Sequence, residues 1–206
     1  MIANINRIII FFLFSTIAFA IGWTINKTAK ELTNKVYPNV YIDHISFGYK
    51  TQKEIIDFFQ EKNKKLKSVK IFVFFQNQPI ATFSGETLNL AYNGETTATR
   101  AYLIGRSPHF LSRIYQQMAS FFRWQRFEFE SQIEYDKNLI EEFINQIEEK
   151  YNKPAKNALF TFSQGRVTAF RKEEKGLEIL SKQFKENFDK TIQDLKNKTE
   201  NKRIIL

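Results

Sequence analysis

An uncharged apolar run near the N-terminus constrains this chain more than any other feature. Residues 8–25 hold no charged side chain in eighteen positions, and Arg7 precedes them while Lys27 follows. A helix of about 20 apolar residues spans a bilayer, and Trp23 stands where interfacial aromatic residues are common. The run therefore predicts a transmembrane signal-anchor over residues 1–26, with a polar juxtamembrane linker over residues 27–37.

A cleaved signal peptide is the alternative interpretation of this run. Ala18-Phe19-Ala20 fits the small-residue pattern of a cleavage site. We favour an uncleaved anchor because apolar residues continue beyond Ala20. A buried core helix is a third interpretation, which so uniform an apolar run disfavours. Both the uncleaved anchor and the cleaved signal peptide would export the rest of the chain. The predicted location is the cell membrane, single-pass, with the domain on the extracytoplasmic side, or secreted if the signal is cleaved.

The composition limits the chemistry that is available to the 206 residues. Cysteine is absent and histidine is limited to His44 and His109, which excludes disulfides and cysteine nucleophiles and argues against a structural zinc site. We therefore predict no metal and no cofactor. The net charge of +9 favours an anionic partner such as nucleic acid, lipid headgroups or an acidic wall polymer, although a solvated basic surface with no specific partner explains it equally well.

The remainder of the chain alternates between strand and helix patterns. In the first half, the strand around Tyr41 precedes a helix with a capping box at Thr51–Glu54. Two strands follow, joined by a predicted turn at Asn77-Gln78-Pro79, and then helices over about 95–104 and 108–122. The order of elements is therefore strand, helix, hairpin and helix.

The second half repeats this order. Residues 126–135 alternate as one strand, Asp136 is placed to cap a helix, a hairpin spans 158–170, and a helix carries an apolar stripe that begins at Leu180. We predict an α+β fold in which two similar strand-helix-hairpin-helix halves pack as one domain over residues 38–206. The final residues, 203–206, follow a strand pattern that suggests a continuation beyond Leu206.

The segment around Gly105 carries the candidate binding residues. Ala98, Ala101, Tyr102 and Gly105 share one helical face, and Gly105 is suited to end a helix. Ser107 and Pro108 are suited to start the next one. An arginine beside a helix N-terminus is a potential anion site, so Arg106, Ser107, His109 and Tyr102 are the candidate ligand-binding residues. The favoured alternative is that Arg106 ties the turn to a buried carboxylate or to carbonyls of the preceding helix.

No recognised catalytic motif occurs in the sequence, and the chain is predicted not to be an enzyme. The carboxylates alternate with apolar positions, which is typical of solvated faces. An aromatic cluster near Arg123 and Arg126 is predicted to be buried core, with stacking on sugar rings as the alternative. It consists of Tyr115, Phe121, Phe122 and Trp124.

Three segments resemble the putative peptidoglycan-binding domain of VanW-type proteins, over roughly residues 35–206. The first carries Tyr41-Ile42-Asp43, Phe47-Gly48 and Thr51–Glu54; the second carries Ala101, Tyr102, Gly105 and Arg106; the third carries Pro154, Ala158, Gly165 and Gly176. His44 departs from a position where glycine is common, and Lys156-Asn157 replaces a usual acidic residue. Gly105, Ala101 and Gly176 are structural positions of this pattern.

The resemblance implies a role in binding peptidoglycan. In the family this domain commonly precedes a VanW or L,D-transpeptidase domain, and the transpeptidase acts through a cysteine that this chain lacks. The leading hypothesis is a membrane-anchored module that engages peptidoglycan or an associated anionic wall polymer. The alternatives are a structural domain that positions a downstream VanW-like domain, and a basic helix-turn-helix-like nucleic-acid binder, which the exported location disfavours.

Overall fold

A computed structural model describes residues 30–163 and 166–206, together with Lys27 and seven scattered positions between 13 and 23; the side chains of 160–169 are outside this description. The described part is α+β, as predicted. Its helices are α1 (Gln52–Lys67), α2 (Gly94–Leu103), α3 (Phe110–Phe121), α4 (Lys137–Tyr151) and α5 (Ser181–Asp194). Its strands are β1 (Val40–Ile42), β2 (Ile45–Ser46), β3 (Lys70–Phe75), β4 (Gln78–Ser84), β5 (Ala91–Tyr92), β6 (Phe127–Phe129), β7 (Ile133–Glu134), β8 (Leu159–Ser163), β9 (Arg166–Arg171) and β10 (Lys202–Ile205).

The predicted anchor over residues 1–26 falls almost entirely on positions outside the described residues. Among the helices that are described, none combines the length and the apolar character needed to cross a membrane.

The chain divides into two compact units, whereas the sequence predicted one domain made of two successive halves. Unit 1 contains residues 1–62 and 92–132, and unit 2 contains residues 63–91 and 133–206. The order of strand, helix, hairpin and helix does recur along the chain. Unit 1 nevertheless holds most of the first half together with β6 of the second, and unit 2 combines residues 63–91 of the first half with the rest of the second, so the units and the halves do not coincide.

Unit 1 contains a small sheet of order β2-β1-β6. Strand β1 pairs antiparallel with β2 and parallel with β6, and Val40 lies opposite Phe127. Asp43 and His44 form the turn between β1 and β2 with φ values of 48° and 65°. A two-residue turn with positive φ at both positions favours asparagine, aspartate or glycine, so His44 occupies a left-handed position that glycine adopts without steric cost.

The predicted single strand over 126–135 is broken into β6 and β7. Ser131 is fully buried between the two strands. Its backbone N–H and its hydroxyl both donate to the Asp43 carboxylate, at 2.9 and 2.5 Å. These bonds replace the ladder bonds of a continuous strand. Apolar and polar residues therefore still alternate along the segment, although the strand itself is interrupted.

The core of unit 1 begins before the predicted domain boundary at residue 38. Leu32, Val36 and Tyr37 are buried, so much of the predicted linker belongs to the folded unit. In the rest of the core, rings of α1 pack against the residues that follow β2. The ring centroids of Phe47 and Phe59 lie 6.4 Å apart. The other buried apolar residues of unit 1 are Val40, Ile42, Ile55, Tyr92, Ala98, Ala101, Ala119 and Phe127.

Unit 2 contains a sheet of order β10-β3-β4 and the hairpin β8-β9. The turn between β3 and β4 lies at Gln76 and Asn77, both with positive φ, one residue earlier than predicted. Pro79 is therefore inside β4, opposite Phe74. A proline is tolerated there because β4 is an edge strand and does not need every N–H.

Two amphipathic helices contribute buried stripes to the core of unit 2. Asp136 caps α4 as predicted, accepting from the N–H groups of Asn138 and Leu139. The predicted stripe of α5 is buried except for its first member, Leu180, which lies at the N-cap and is 64% exposed. The buried members of the two stripes are Ile140, Ile144, Ile147, Phe184, Phe188, Ile192 and Leu195.

The predicted capping box at the start of α1 is present and is coupled to a charge. The backbone N–H of Thr51 donates to the Glu54 carboxylate at 2.8 Å, and the N–H of Glu54 donates to the Thr51 hydroxyl at 3.2 Å. The ammonium group of Lys50 also donates to Glu54 at 2.8 Å. The bond from Lys50, followed by those from Thr51, lowers the pKa of Glu54 from 4.5 to about 2.

We predict that Glu54→Gln lowers the thermal unfolding midpoint at neutral pH and that this difference closes in acid. A carboxylate with a lowered folded pKa stabilises the fold above pH 4.5, and that stabilisation is lost as pH falls through about 2. Thermal melts from pH 7 to pH 2 measure it. Glu142→Gln, at an exposed position of α4, is the control and should show no such trend; a gap that stays constant with pH would contradict the prediction.

Candidate functional site

The break between α2 and α3 is built on a glycine, as predicted. Gly105 has φ +76°, and a Cβ atom at this position would lie 2.8 Å from the buried ring of Tyr37. The backbone N–H of Gly105 donates to Gln116, and its carbonyl accepts from Gln117, both at 2.9 Å. Left-handed geometry and lack of space therefore both require glycine here.

The start of α3 differs from the prediction. The helix begins at Phe110 with His109 at the N-cap, which makes no side-chain cap bond. Ser107 and Pro108 lie before the helix, where the Ser107 hydroxyl accepts from the N–H of His109 at 3.2 Å. Ser107 thus forms a local turn, so its hydroxyl does not cap the helix itself.

The guanidinium of Arg106 donates its hydrogen bonds to backbone carbonyls inside unit 1. Its nitrogens donate to the carbonyl of Tyr102 at 2.5 Å, of Leu32 at 2.5 Å and of Lys35 at 2.8 Å. The Tyr102 carbonyl belongs to the last turn of α2, where helical carbonyls lack intrahelical partners. The other two carbonyls belong to the segment that precedes the first strand. This arrangement is the structural alternative that the sequence favoured.

Two tyrosine rings enclose the Arg106 guanidinium. Its central carbon lies 3.8 Å from the ring centroid of Tyr102 and 5.0 Å from that of Tyr37. The Tyr102 hydroxyl donates to the Thr33 carbonyl at 2.7 Å, so both candidate residues bind the same short segment. Burial raises the pKa of Tyr37, and the positive charge of Arg106 opposes that rise.

The structure brings Arg106 and Tyr102 together but turns both toward the protein. His109 is exposed, and Ser107 is partly exposed beside it. Ala101 is fully buried on the inner face of α2. No group of three or more His, Asp or Glu side chains suited to a metal ion occurs within the described part of the chain.

The carboxylates that alternate along the second half lie on solvated faces, as predicted. Six of them are exposed, and Glu148 is partly buried, where it accepts from the Ser181 hydroxyl. The exposed six are Glu128, Glu130, Glu134, Glu141, Glu142 and Glu149.

The aromatic cluster that was predicted to be core is exposed instead. Trp124 is 65% exposed and stacks on Phe122 with ring centroids 5.2 Å apart. Leu111, on the same side of α3, is 79% exposed. We call this surface the aromatic face of α3. Its members are Phe110, Leu111, Tyr115, Phe121, Phe122 and Trp124.

A polar cleft in unit 2 was not predicted from the sequence. Its cavity volume is about 330 Å³, within the range of small-molecule sites. The rings of Phe75 and Tyr151 lie 4.6 Å apart at 46°. We call it the Tyr151 cleft. It is lined by Phe75, Gln76, Gln78, Ile80, Tyr151, Lys153 and Leu177.

Gly176 allows one wall of the Tyr151 cleft to form. Lys153 and Leu177 exchange two backbone hydrogen bonds, of 2.8 and 2.9 Å. A Cβ atom on Gly176 would lie 2.8 Å from the backbone nitrogen of Ala155 and 3.0 Å from the carbonyl of Lys153. The two backbone segments approach this closely only because residue 176 is glycine.

The lining of the Tyr151 cleft offers three kinds of interaction to a ligand. The rings of Phe75 and Tyr151 provide a partly exposed stacking surface, and the amides of Gln76 and Gln78 donate and accept hydrogen bonds. The ammonium group of Lys153 attracts an anion. The only charged group in the lining is this cation, so the cleft suits a polar or anionic ligand and has no carboxylate for acid-base chemistry.

We predict that Arg106→Ala lowers the free energy of unfolding by about 2–3 kcal/mol, because buried carbonyls lose charge-assisted donors. Arg106→Lys should recover only part of this loss, since an ammonium cannot reproduce the forked geometry. Chemical denaturation measures both, with the exposed Arg123→Ala as the matched control. Unchanged stability combined with weaker binding to purified cell-wall material would contradict the structural role and identify Arg106 as a ligand residue.

Comparison with known protein families places this geometry in context. Residues 81–200 match the family described as "Putative peptidoglycan binding domain". No curated protein and no solved structure matches the chain. The match covers Lys153, Leu177 and Gly176 of the Tyr151 cleft, as well as the break at Gly105. Because it spans more than half of the chain, the chain belongs to the family of putative peptidoglycan binding domains.

Proposed function

We propose that this protein is a membrane-anchored, extracytoplasmic module that binds peptidoglycan or an associated anionic wall polymer, without catalysing a reaction. Membership of the binding-domain family over residues 81–200 carries the proposal. The net charge of +9 supports an anionic partner. The resemblance of its three sequence segments to VanW-type proteins supports a place among envelope proteins.

The N-terminal sequence supports the anchor and the location. Residues 8–25 are uncharged, and Leu13, Phe19 and Trp23 are each more than half exposed. Apolar side chains that do not pack on the folded units favour insertion into lipid. A phosphatase reporter fused after Leu206 tests the topology, because it is active only outside the cytoplasm; an inactive, stably expressed fusion would contradict the proposed location.

We propose the Tyr151 cleft as the binding site. Peptidoglycan presents N-acetylated sugars and peptides that end in carboxylates. Aromatic rings stack on the apolar faces of sugars, the glutamine amides match acetamido groups, and Lys153 pairs with a carboxylate or phosphate. Each lining group therefore has a counterpart in the proposed ligand.

The outward side of α3 favours this role over nucleic-acid recognition. A recognition helix reads base edges through polar side chains that point into the major groove. The exposed face of α3 instead presents aromatic and aliphatic side chains, among them Phe110, Leu111 and Trp124.

We expect the detergent-solubilised full chain to co-sediment with purified peptidoglycan sacculi. Lys153→Glu should weaken this binding by about tenfold, because a charge-assisted contact becomes a repulsion. Lys137→Glu is the matched control, since it makes the same charge change at an exposed position of α4. Sacculi stripped of anionic polymers with acid distinguish the two ligands, and a chain that stays in the supernatant at low and moderate salt would refute both.

We predict that Gly176→Ala lowers the free energy of sacculus binding by more than it lowers the free energy of unfolding. The added Cβ atom forces apart the segments that hold Lys153 and Leu177, while the apolar cores of both units are left intact. Binding isotherms and thermal melts of the same preparation measure the two effects. Equal binding by the variant and the parent chain would show that the cleft wall plays no part.

A further inference from the structure

Helix α3 is oriented so that one of its polar sides contacts the rest of unit 1. Gln116 and Gln117 hydrogen-bond to the backbone of Gly105, and the fully buried Ser120 donates to the Pro38 carbonyl. The aromatic face consequently points outward. An amphipathic helix of a globular domain ordinarily buries its apolar stripe, whereas this orientation leaves six large aromatic and aliphatic side chains exposed.

The size and composition of the aromatic face indicate a docking surface. Isolated exposed apolar residues are normal, whereas clusters of large ones mark contact sites. Five of the six members are more than 40% exposed, and the sixth, Phe121, is 38% exposed. Tryptophan and tyrosine, which are present here as Trp124 and Tyr115, are the side chains that favour the boundary between lipid and water.

The segment that carries the aromatic face is basic, although Arg106 points into unit 1 and Arg126 pairs with Glu128 at 3.0 Å. Between Glu95 and Glu128 the chain contains no acidic residue and five arginines. Arg123 follows α3 and is exposed; Arg113 lies on α3 and is also exposed, with its guanidinium 5.7 Å from the ring centroid of Phe110. Basic residues that flank an apolar helix face are complementary to anionic lipid headgroups.

A sugar or a second copy of the chain fits this surface less well. Recognition of sugar hydroxyls needs amides or carboxylates beside the rings; both glutamines of α3 are turned inward, and the side-chain oxygen of Gln125 already accepts from the Tyr115 hydroxyl at 3.1 Å. A symmetric dimer through this face would bring the arginines of two copies together, and like charges that face each other oppose association.

The position of the face along the chain also favours a membrane. Arg106 and Tyr102 bind the carbonyls of Leu32, Thr33 and Lys35 immediately before α3 begins. Leu32 lies only seven positions after residue 25, the end of the uncharged run. An extended chain of that length reaches at most about 25 Å, so these contacts keep α3 near the exit point of the proposed anchor.

We infer that the aromatic face of α3 lies on an anionic phospholipid bilayer, with its rings at the level of the acyl boundary and its arginines among the headgroups. This contact would fix unit 1 against the membrane from which the proposed anchor emerges. It goes beyond the proposed function and is independent of peptidoglycan binding at the Tyr151 cleft.

Spin labels on single introduced cysteines test this inference, since the chain has no cysteine of its own. The full chain carries Leu111→Cys or, as the matched control, Ser112→Cys, an exposed neighbour on the other side of α3. Both are reconstituted in vesicles of phosphatidylglycerol and phosphatidylcholine. Collision with oxygen and with a neutral nickel chelate then reports the depth of each label.

We expect the label at residue 111 to lie about 5–10 Å below the headgroups, and the label at residue 112 to remain accessible to the nickel chelate. The depth at residue 111 should decrease in pure phosphatidylcholine, where the arginines have no anionic partner. Equal aqueous accessibility at the two positions would overturn the inference. Spin–spin broadening at residue 111, or its shielding by soluble muropeptides, would also overturn it by assigning the face to a second copy or to glycan. A failed sacculus assay would leave these depths unchanged, so the two proposals fail separately.

Discussion

The forked hydrogen bonding of Arg106 is the interaction on which the arrangement of unit 1 depends. One guanidinium satisfies the last turn of α2 and two carbonyls of the segment that enters the domain. Lysine could not do this, because an ammonium lacks the planar set of donors that three separate carbonyls require. The charge stays favourable because the two tyrosine rings that cover it present their negative faces. The entry of the chain and the α2–α3 break are therefore fixed by the same side chain.

Gly105 transmits this constraint to α3. Its carbonyl and its N–H are both occupied by glutamines of the following helix, which determines the side of α3 that faces unit 1. The glutamines bring the polar side of α3 inward, and Ser120 completes it with a bond to the Pro38 carbonyl. The exposure of Leu111 and Trp124 is thus a consequence of backbone groups that must be satisfied at the break.

Local signals in the sequence predicted much of the fold. The capping box at Thr51, the cap at Asp136 and the end of α2 before Gly105 all depend on residues within a few positions of one another. The burial of the aromatic cluster around Trp124 was predicted wrongly for a physical reason. Periodicity identifies an apolar face, but it does not say whether that face or the opposite one contacts the protein. The partners that decide this, Gly105 and Pro38, are outside the helix.

Sites that join distant segments could not be derived in the same way. Phe75 and Tyr151 are far apart along the chain, and Ser131 interrupts a strand only because Asp43 is brought beside it. Gly176 was recognised as a structural position through resemblance alone. Its physical reason, the lack of space against Ala155 and Lys153, becomes visible only when the two backbone segments are seen together.

The two proposed surfaces differ in how many hydrogen-bonding groups they present, and so in the surroundings that suit each of them. The Tyr151 cleft combines rings with amides and an ammonium group, so a ligand must replace hydrogen bonds to water as it enters. The aromatic face of α3 offers few such groups, so it gains by leaving water without having to match a partner's hydrogen bonds. A polymer rich in amides and carboxylates suits the first surface, and lipid suits the second. Because the glutamines of α3 bind the Gly105 backbone, the bonds that build the fold also leave aromatic and aliphatic side chains on its outer face.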